Sequence, residues 1–153
     1  DIMNRVEEGG TIAGKGAEGD VRGSFSKYAD LTERAIHVQK QIIRKLAEKE
    51  ACVIIGRCAD YVLDGTEGLI RVFLYADIKV REERVRERNL YADKDVLKNI
   101  HRIDRERRDY NRYYAGRDWE KPENYDLLIN TTQIGVDGAV QLIKDYLKMR
   151  GLL

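Results

Sequence analysis

Leu69-Ile70-Arg71-Val72-Phe73-Leu74-Tyr75-Ala76, followed at once by Asp77 and a charged stretch, decides the fold. A short run dominated by aliphatic, β-branched and aromatic side chains, without polar alternation, reads as a strand covered on both faces. Strands of that kind belong to parallel sheets. Asp77 then caps a charged helix over about 78–90. Upstream, Ala51-Cys52-Val53-Ile54-Ile55-Gly56 reads as a second buried strand, and downstream Tyr125-Asp126-Leu127-Leu128-Ile129-Asn130 reads as a third.

Helical patterns separate these runs. Asp30-Leu31-Thr32-Glu33 has the form of a capping box, and Leu31, Ala35, Val38, Ile42 and Leu46 follow at helical spacing, which predicts a helix over 30–49. A short helix over 59–63 ends at Asp64-Gly65. Asp93 caps another over 93–115, which Gly116 stops. A last one runs over 137–149, with Ala139, Leu142, Ile143, Tyr146 and Leu147 inward and Gly151 as its stop. Alternating helices and apolar strands predict an α/β fold with a parallel, doubly wound sheet. Three strands make a thin sheet with an open edge. Either an upstream element is missing or a partner, such as a second copy of the chain, covers that edge.

Length and composition set the class. The 153 residues are one domain's worth, and 36% charged with 42% apolar residues is a globular composition. A formal net charge of +1 lacks the basic excess of a nucleic-acid binder. No apolar run reaches the ~20 residues that span a membrane. Cys52 and Cys58 on one strand would lie about 20 Å apart, too far for a disulfide. Two buried free thiols point to a reducing cytoplasm. Residues 1–29 are glycine-rich and aperiodic, which predicts a flexible arm or loop ahead of a core over 30–153.

In open α/β sheets, ligands bind beyond the carboxyl ends of the strands. There the first expected strand ends in Gly56-Arg57-Cys58-Ala59-Asp60. Arg57 offers a flat, permanently charged fork for two anionic oxygens, and Gly56 allows close backbone approach. The same arginine could instead pair with Asp60. Between Lys79 and Arg117 thirteen Lys/Arg face eight Asp/Glu. Arg102, Arg105, Arg107 and Arg108 crowd one helix, interleaved with Asp104, Glu106 and Asp109. Two readings stay open: a solvated, salt-bridged helix, or an arginine lid over about 91–120 that closes on a transferring phosphate.

Gly9-Gly10-Thr11-Ile12-Ala13-Gly14-Lys15-Gly16 nearly spells a phosphate loop. It fails at Gly16, where a hydroxyl should hold magnesium, and it lacks the flanking strand and helix. His37 and His101 read as structural or solvated. Trp119, Tyr110, Tyr113, Tyr114 and Tyr125 read as packing the helix onto the body.

Taken together, these stretches resemble the cytidylate-kinase-like family of phosphate-loop nucleoside-monophosphate kinases. The likeness runs from the 52–63 stretch through Val72–Asp77, Arg81-Glu82-Glu83-Arg84, Asp104–Arg108, Tyr113-Tyr114-Ala115-Gly116, Trp119 and 124–132. It implies a three-layer α/β/α sheet, here incomplete because the first strands and the phosphate loop are missing. It implies phosphoryl transfer from ATP to CMP, dCMP or a related monophosphate, with ATP and magnesium expected for an intact member and neither evident from these residues. Gly56-Arg57 matches the Gly-Arg whose arginine holds the monophosphate. Asp104 and Arg107 match the lid's Asp-x-x-Arg as the catalytic pair, with Arg102, Arg105 and Arg108 beside them on substrate phosphates. Cys58 departs from the family's acidic residue, and Asp60 is its substitute. Without a phosphate loop the chain is expected to be inactive alone. The rival is a non-catalytic nucleotide- or anion-binding module. A strand and glycine-rich turn encoded upstream of Asp1 would favour the kinase.

Overall fold

The computed structural model describes residues 21–153, with side chains from residue 31 onward. The chain divides into two compact units at the step from Gln41 to Ile42. Helix α1, Val21–Lys49, runs through that step. Its start is a correction: Asp30 lies inside the helix and does not cap it. The residues from 21 to 30 include one glycine, Gly23, and no proline, so nothing in them stops a helix. In the first unit His37 and Gln41, one turn apart, are hydrogen-bonded at 2.9 Å.

The second unit holds α2 (Ala59–Val62), β1 (Val72–Tyr75), α3 (Ile78–Glu87), α4 (Val96–Ala115), β2 (Leu127–Asn130) and α5 (Thr131–Met149). β1 and β2 pair in parallel, with Val72 opposite Leu127 and Tyr75 opposite Asn130. The crossover between them carries α3 and α4, as a parallel connection requires. The sheet expected with three strands has two among the described residues.

The stretch 51–56 is the one that fails to join. A strand exists by its ladder of hydrogen bonds to a neighbour, and no described segment offers one. Ile54 packs against the cluster of Ile43, Ala59, Val62 and Leu63. Val53 and Ile55 point away and are 93% and 89% exposed. Cys52 is likewise exposed, not buried as expected, whereas Cys58 is buried, and the two form no disulfide.

The two strands are tied at both ends. At their start, Arg71 donates its backbone N–H to Asp126 Oδ2 at 2.7 Å and its Nη2 to Asp126 Oδ1 at 3.1 Å. The Arg71 carbonyl accepts from Asp126 N at 2.8 Å. At their carboxyl end, Thr131 Oγ1 donates to the Tyr75 carbonyl at 3.1 Å, and Asp77 N donates to Thr132 Oγ1 at 2.8 Å. Asn130 caps α5 by accepting from Thr132 N at 2.9 Å. α5 begins earlier than its apolar period indicates, and it kinks at Gly135, φ 65° and ψ −165°. From residue 136 on, Ala139 is buried as expected, but Leu142 is 49% exposed. Val96 and Ile100 anchor α4, and Gly116 ends it in the left-handed region.

Candidate functional site

Three elements place charge at the carboxyl end of β1. Asp77 N-caps α3, so Arg81 follows about one helical turn after the strand ends. α4 presents Asp104 and, three residues on, Arg107 on the same face. The segment after α4 brings in Trp119. Together with Phe73, Leu74, Tyr75, Glu120 and Leu128 these residues line a cavity of about 410 Å³.

Asp104 is the centre of the cluster. It is 8% exposed, the one buried acid among the described residues. Arg81 meets it fork to fork: Nη2 donates to Oδ1 at 2.8 Å, and Nη1 lies 2.8 Å from Oδ2. Arg107 Nη1 approaches Oδ1 at 3.5 Å. A carboxylate that buried is tolerable only with such partners. Arg107 also lies over the Trp119 ring at 5.7 Å, a cation–π arrangement. Trp119 meets Phe73 edge to face at 5.3 Å, and Phe73 meets Tyr125 at 4.9 Å. Burial, above all, pushes the Tyr125 hydroxyl up to about 12, and it donates to the Trp119 carbonyl. The aromatic residues therefore pack the exit of α4 onto β1.

Arg57 stands elsewhere. Gly56, Arg57 and Cys58 all have positive φ, at 69°, 58° and 52°. This tight left-handed turn leads into α2 and leaves Arg57 exposed. Its side chain faces Tyr110 on α4, whose hydroxyl is raised chiefly by burial; the Arg57 charge and hydrogen bond oppose that rise. Cys58 Sγ lies 3.5 Å from Asn111 Oδ1 on the same helix. Asp60 does not take up Arg57. It pairs with Arg117 at 3.8 Å, and Arg117 also reaches Asp64 at 3.3 Å and lies over Tyr61 at 5.1 Å. Arg57 has no acid within ion-pair distance among the described residues.

Asp104 and Arg107 are thus the expected site residues that line the cavity; Arg57, Gly56, Asp60, Arg102, Arg105 and Arg108 do not. Arg102 pairs with Glu106 at 2.7 Å and Arg108 with Glu120 at 3.0 Å. Arg112, further along, pairs with Asp118 at 3.0 Å. These are the salt bridges of a solvated face. Arg105 is exposed and makes no ion pair among the described residues. The near-phosphate loop at Gly9–Gly16 lies outside the described residues. Arg81, Arg84 and Arg117 were not among the expected site residues. Arg84 donates to Thr131 Oγ1 at 2.8 Å and to the Thr131 carbonyl at 2.9 Å. The available signal for Arg81 was its place one turn after a strand end.

Comparison with known proteins bears on this arrangement. A family model described as "Cytidylate kinase-like family" matches residues 1–133. The cytidylate kinase of Thermococcus kodakarensis is 31% identical over 135 residues, which cover 83% of this chain and 66% of that protein. The cytidylate kinase of Archaeoglobus fulgidus is 29% identical, covering 78% of this chain and 66% of its own length. The matched part therefore spans just under two thirds of these relatives. A crystal structure of an uncharacterized protein from Eubacterium ventriosum superposes with a TM-score of 0.71 at 32% identity, over 74% of this chain and 65% of that one.

Proposed function

The chain belongs to the cytidylate kinase-like family, and from that premise we propose that it serves phosphoryl transfer from ATP to CMP, dCMP or a related nucleoside monophosphate. The observation that carries the reading is the meeting of Arg81, Asp104 and Arg107 at the carboxyl end of β1. Phosphoryl transfer asks little covalent chemistry of a protein. It asks for fixed positive groups around the phosphate oxygens and for exclusion of water. Arg81 and Arg107 supply such groups. Arg57, exposed and without an acidic partner among the described residues, holds the acceptor phosphate in this reading. The stretch over about 91–120 acts as the lid, with exposed Arg105 as a cation that can turn toward phosphate. The two-stranded sheet is then part of a three-layer α/β/α sheet of the phosphate-loop kinase type. Cys52 and Cys58, not joined in a disulfide, suit the cytoplasm.

ATP is the donor substrate in this proposal, and magnesium accompanies it. Among the described residues no three or more His, Cys, Asp or Glu side chains are grouped to hold a metal ion. No residue here is therefore assigned to magnesium, whose ligands in such sites come largely from phosphates and water. The sequence also holds no complete phosphate-loop motif, since Gly16 stands where Ser or Thr is needed. The proposal gives these 153 residues the acceptor and lid half of the reaction and expects no turnover from them alone. The same observation favours the second reading, a nucleotide-binding module without catalysis.

The test is a radiolabelled ATP transfer assay with the 153-residue chain against CMP, dCMP, UMP and AMP, beside calorimetry of each monophosphate. Binding of a monophosphate without transfer is expected. Robust transfer would refute the division of labour, and binding of none of the four would refute the reading itself. Joining the chain to a phosphate-loop segment separates the two readings: a kinase gains transfer, a binding module does not.

A further inference from the structure

We infer that Asp104 is a positioning residue, which never touches the transferring phosphate and acts by setting Arg81 and Arg107 as two arms of one anion clamp. This rests on the cavity's being a phosphate site. The carboxylate is 8% exposed, and both of its oxygens are taken up by Arg81 at 2.8 Å. An anion offered to a phosphate would repel it; the same anion behind two guanidinium groups holds them in place. Arg81 comes from α3 and Arg107 from α4, and Asp104 is the group that contacts both.

The geometry divides the work unequally. Arg81 is locked fork to fork and 32% exposed, so the edge of its guanidinium away from Asp104 remains for a ligand. Arg107 is held loosely, at 3.5 Å from Asp104 and 5.7 Å from the Trp119 ring centre, and is 55% exposed. It is the arm that can move onto an incoming oxygen. Glu120 also lines the cavity, but its carboxylate is engaged by Arg108 at 3.0 Å. With Glu120 counted against its partner Arg108, two arginines and the Asp104 carboxylate leave a single net positive charge, fit for a phosphate or a chain of phosphates.

The sign of one substitution tests this. Removing a passive negative charge beside an anion site strengthens anion binding. Removing a positioning carboxylate weakens it. The probe is inorganic tripolyphosphate, titrated calorimetrically into the full 153-residue chain. Asp104→Asn is expected to weaken its binding about tenfold, the scale of one charge-assisted hydrogen bond. Lys98→Gln, which removes an exposed cation on α4 outside the cavity, is expected to change it less than about twofold. Equal or tighter binding by Asp104→Asn overturns the inference, as does no binding by the unaltered chain. Should Asp104→Asn fail to fold, nuclear magnetic resonance of the arginine Nε–Hε groups of the unaltered chain decides. Arg81 and Arg107 are expected to shift together on adding tripolyphosphate, and a shift in Arg107 alone overturns the inference. Tripolyphosphate binding that obeys these signs, without binding of CMP or ATP, leaves the clamp standing and removes the nucleotide reading.

Discussion

Arg71 and Asp126 lock the two strands together at their amino ends, with two side-chain hydrogen bonds of 3.2 and 3.1 Å and a backbone-to-carboxylate bond of 2.7 Å. The Arg71 side chain, by these hydrogen bonds, holds the Asp126 carboxyl below its ordinary 3.8. A depressed carboxyl stabilises the fold above its unfolded value, and the benefit is lost as pH falls through the lower folded value. Asp126→Asn is expected to cost about 1–3 kcal/mol at pH 7. Urea unfolding of both proteins should show this gap shrinking below pH 3.8. A gap that is the same at pH 7 and in acid contradicts the assignment.

Arg84 closes the other end of the sheet through the hydroxyl and carbonyl of buried Thr131. Arg84→Ala removes both donors and is expected to lower stability by about 1–3 kcal/mol, because buried acceptors lose charged partners. Thr131→Val should cost a similar amount, and the double variant less than the sum of the two. Chemical denaturation of the four proteins measures the cycle; strict additivity would contradict it.

The kink of α5 gives a prediction of backbone origin alone. Gly135 has φ 65° and ψ −165°, a combination open essentially to glycine. A Cβ placed there meets nothing within 4 Å. Gly135→Ala is therefore expected to cost about 1–3 kcal/mol with no steric clash to relieve. A thermal melt unchanged by the substitution contradicts the kink.

Arg117 ties the segment after α4 to α2 through Asp60 and to the turn after α2 through Asp64. Arg117 is 20% and Asp60 25% exposed at the side chain, so solvent screens the pair only in part. A double-mutant cycle of Arg117→Gln and Asp60→Asn should give a coupling of about 0.5–1 kcal/mol. Zero coupling would leave Asp60 without this partner in solution.

Elements that find their neighbours among the described residues were legible in the sequence. β1 and β2 lie inside the apolar runs that predict them, and α3 follows Asp77 as expected; α4 instead begins after Asp95, because Asp93 is taken up in a short 3-10 turn over Asp93–Asp95. Where order depends on a partner, the sequence was mute. The stretch 51–56 has the composition of a buried strand, yet Val53 and Ile55 stand exposed because no described strand pairs with it. The resemblance to the lid's Asp-x-x-Arg singled out Asp104 and Arg107, which lie 3.5 Å apart on α4. It could not show that Arg81, distant by 23 residues, completes the group. Nor could it show that Asp60 is drawn to Arg117 across the chain. Long-range ion pairs between residues of ordinary surface helices leave no periodic trace.

The central claim is that this chain recognises the phosphate of a nucleoside monophosphate. Calorimetric titration of the 153-residue chain with CMP and with cytidine tests it most directly. The account predicts that CMP binds at least about tenfold more tightly than cytidine, the worth of one charge-assisted contact, and that Arg57→Ala removes most of the difference. Equal affinity for the two, or no change with Arg57→Ala, would contradict it.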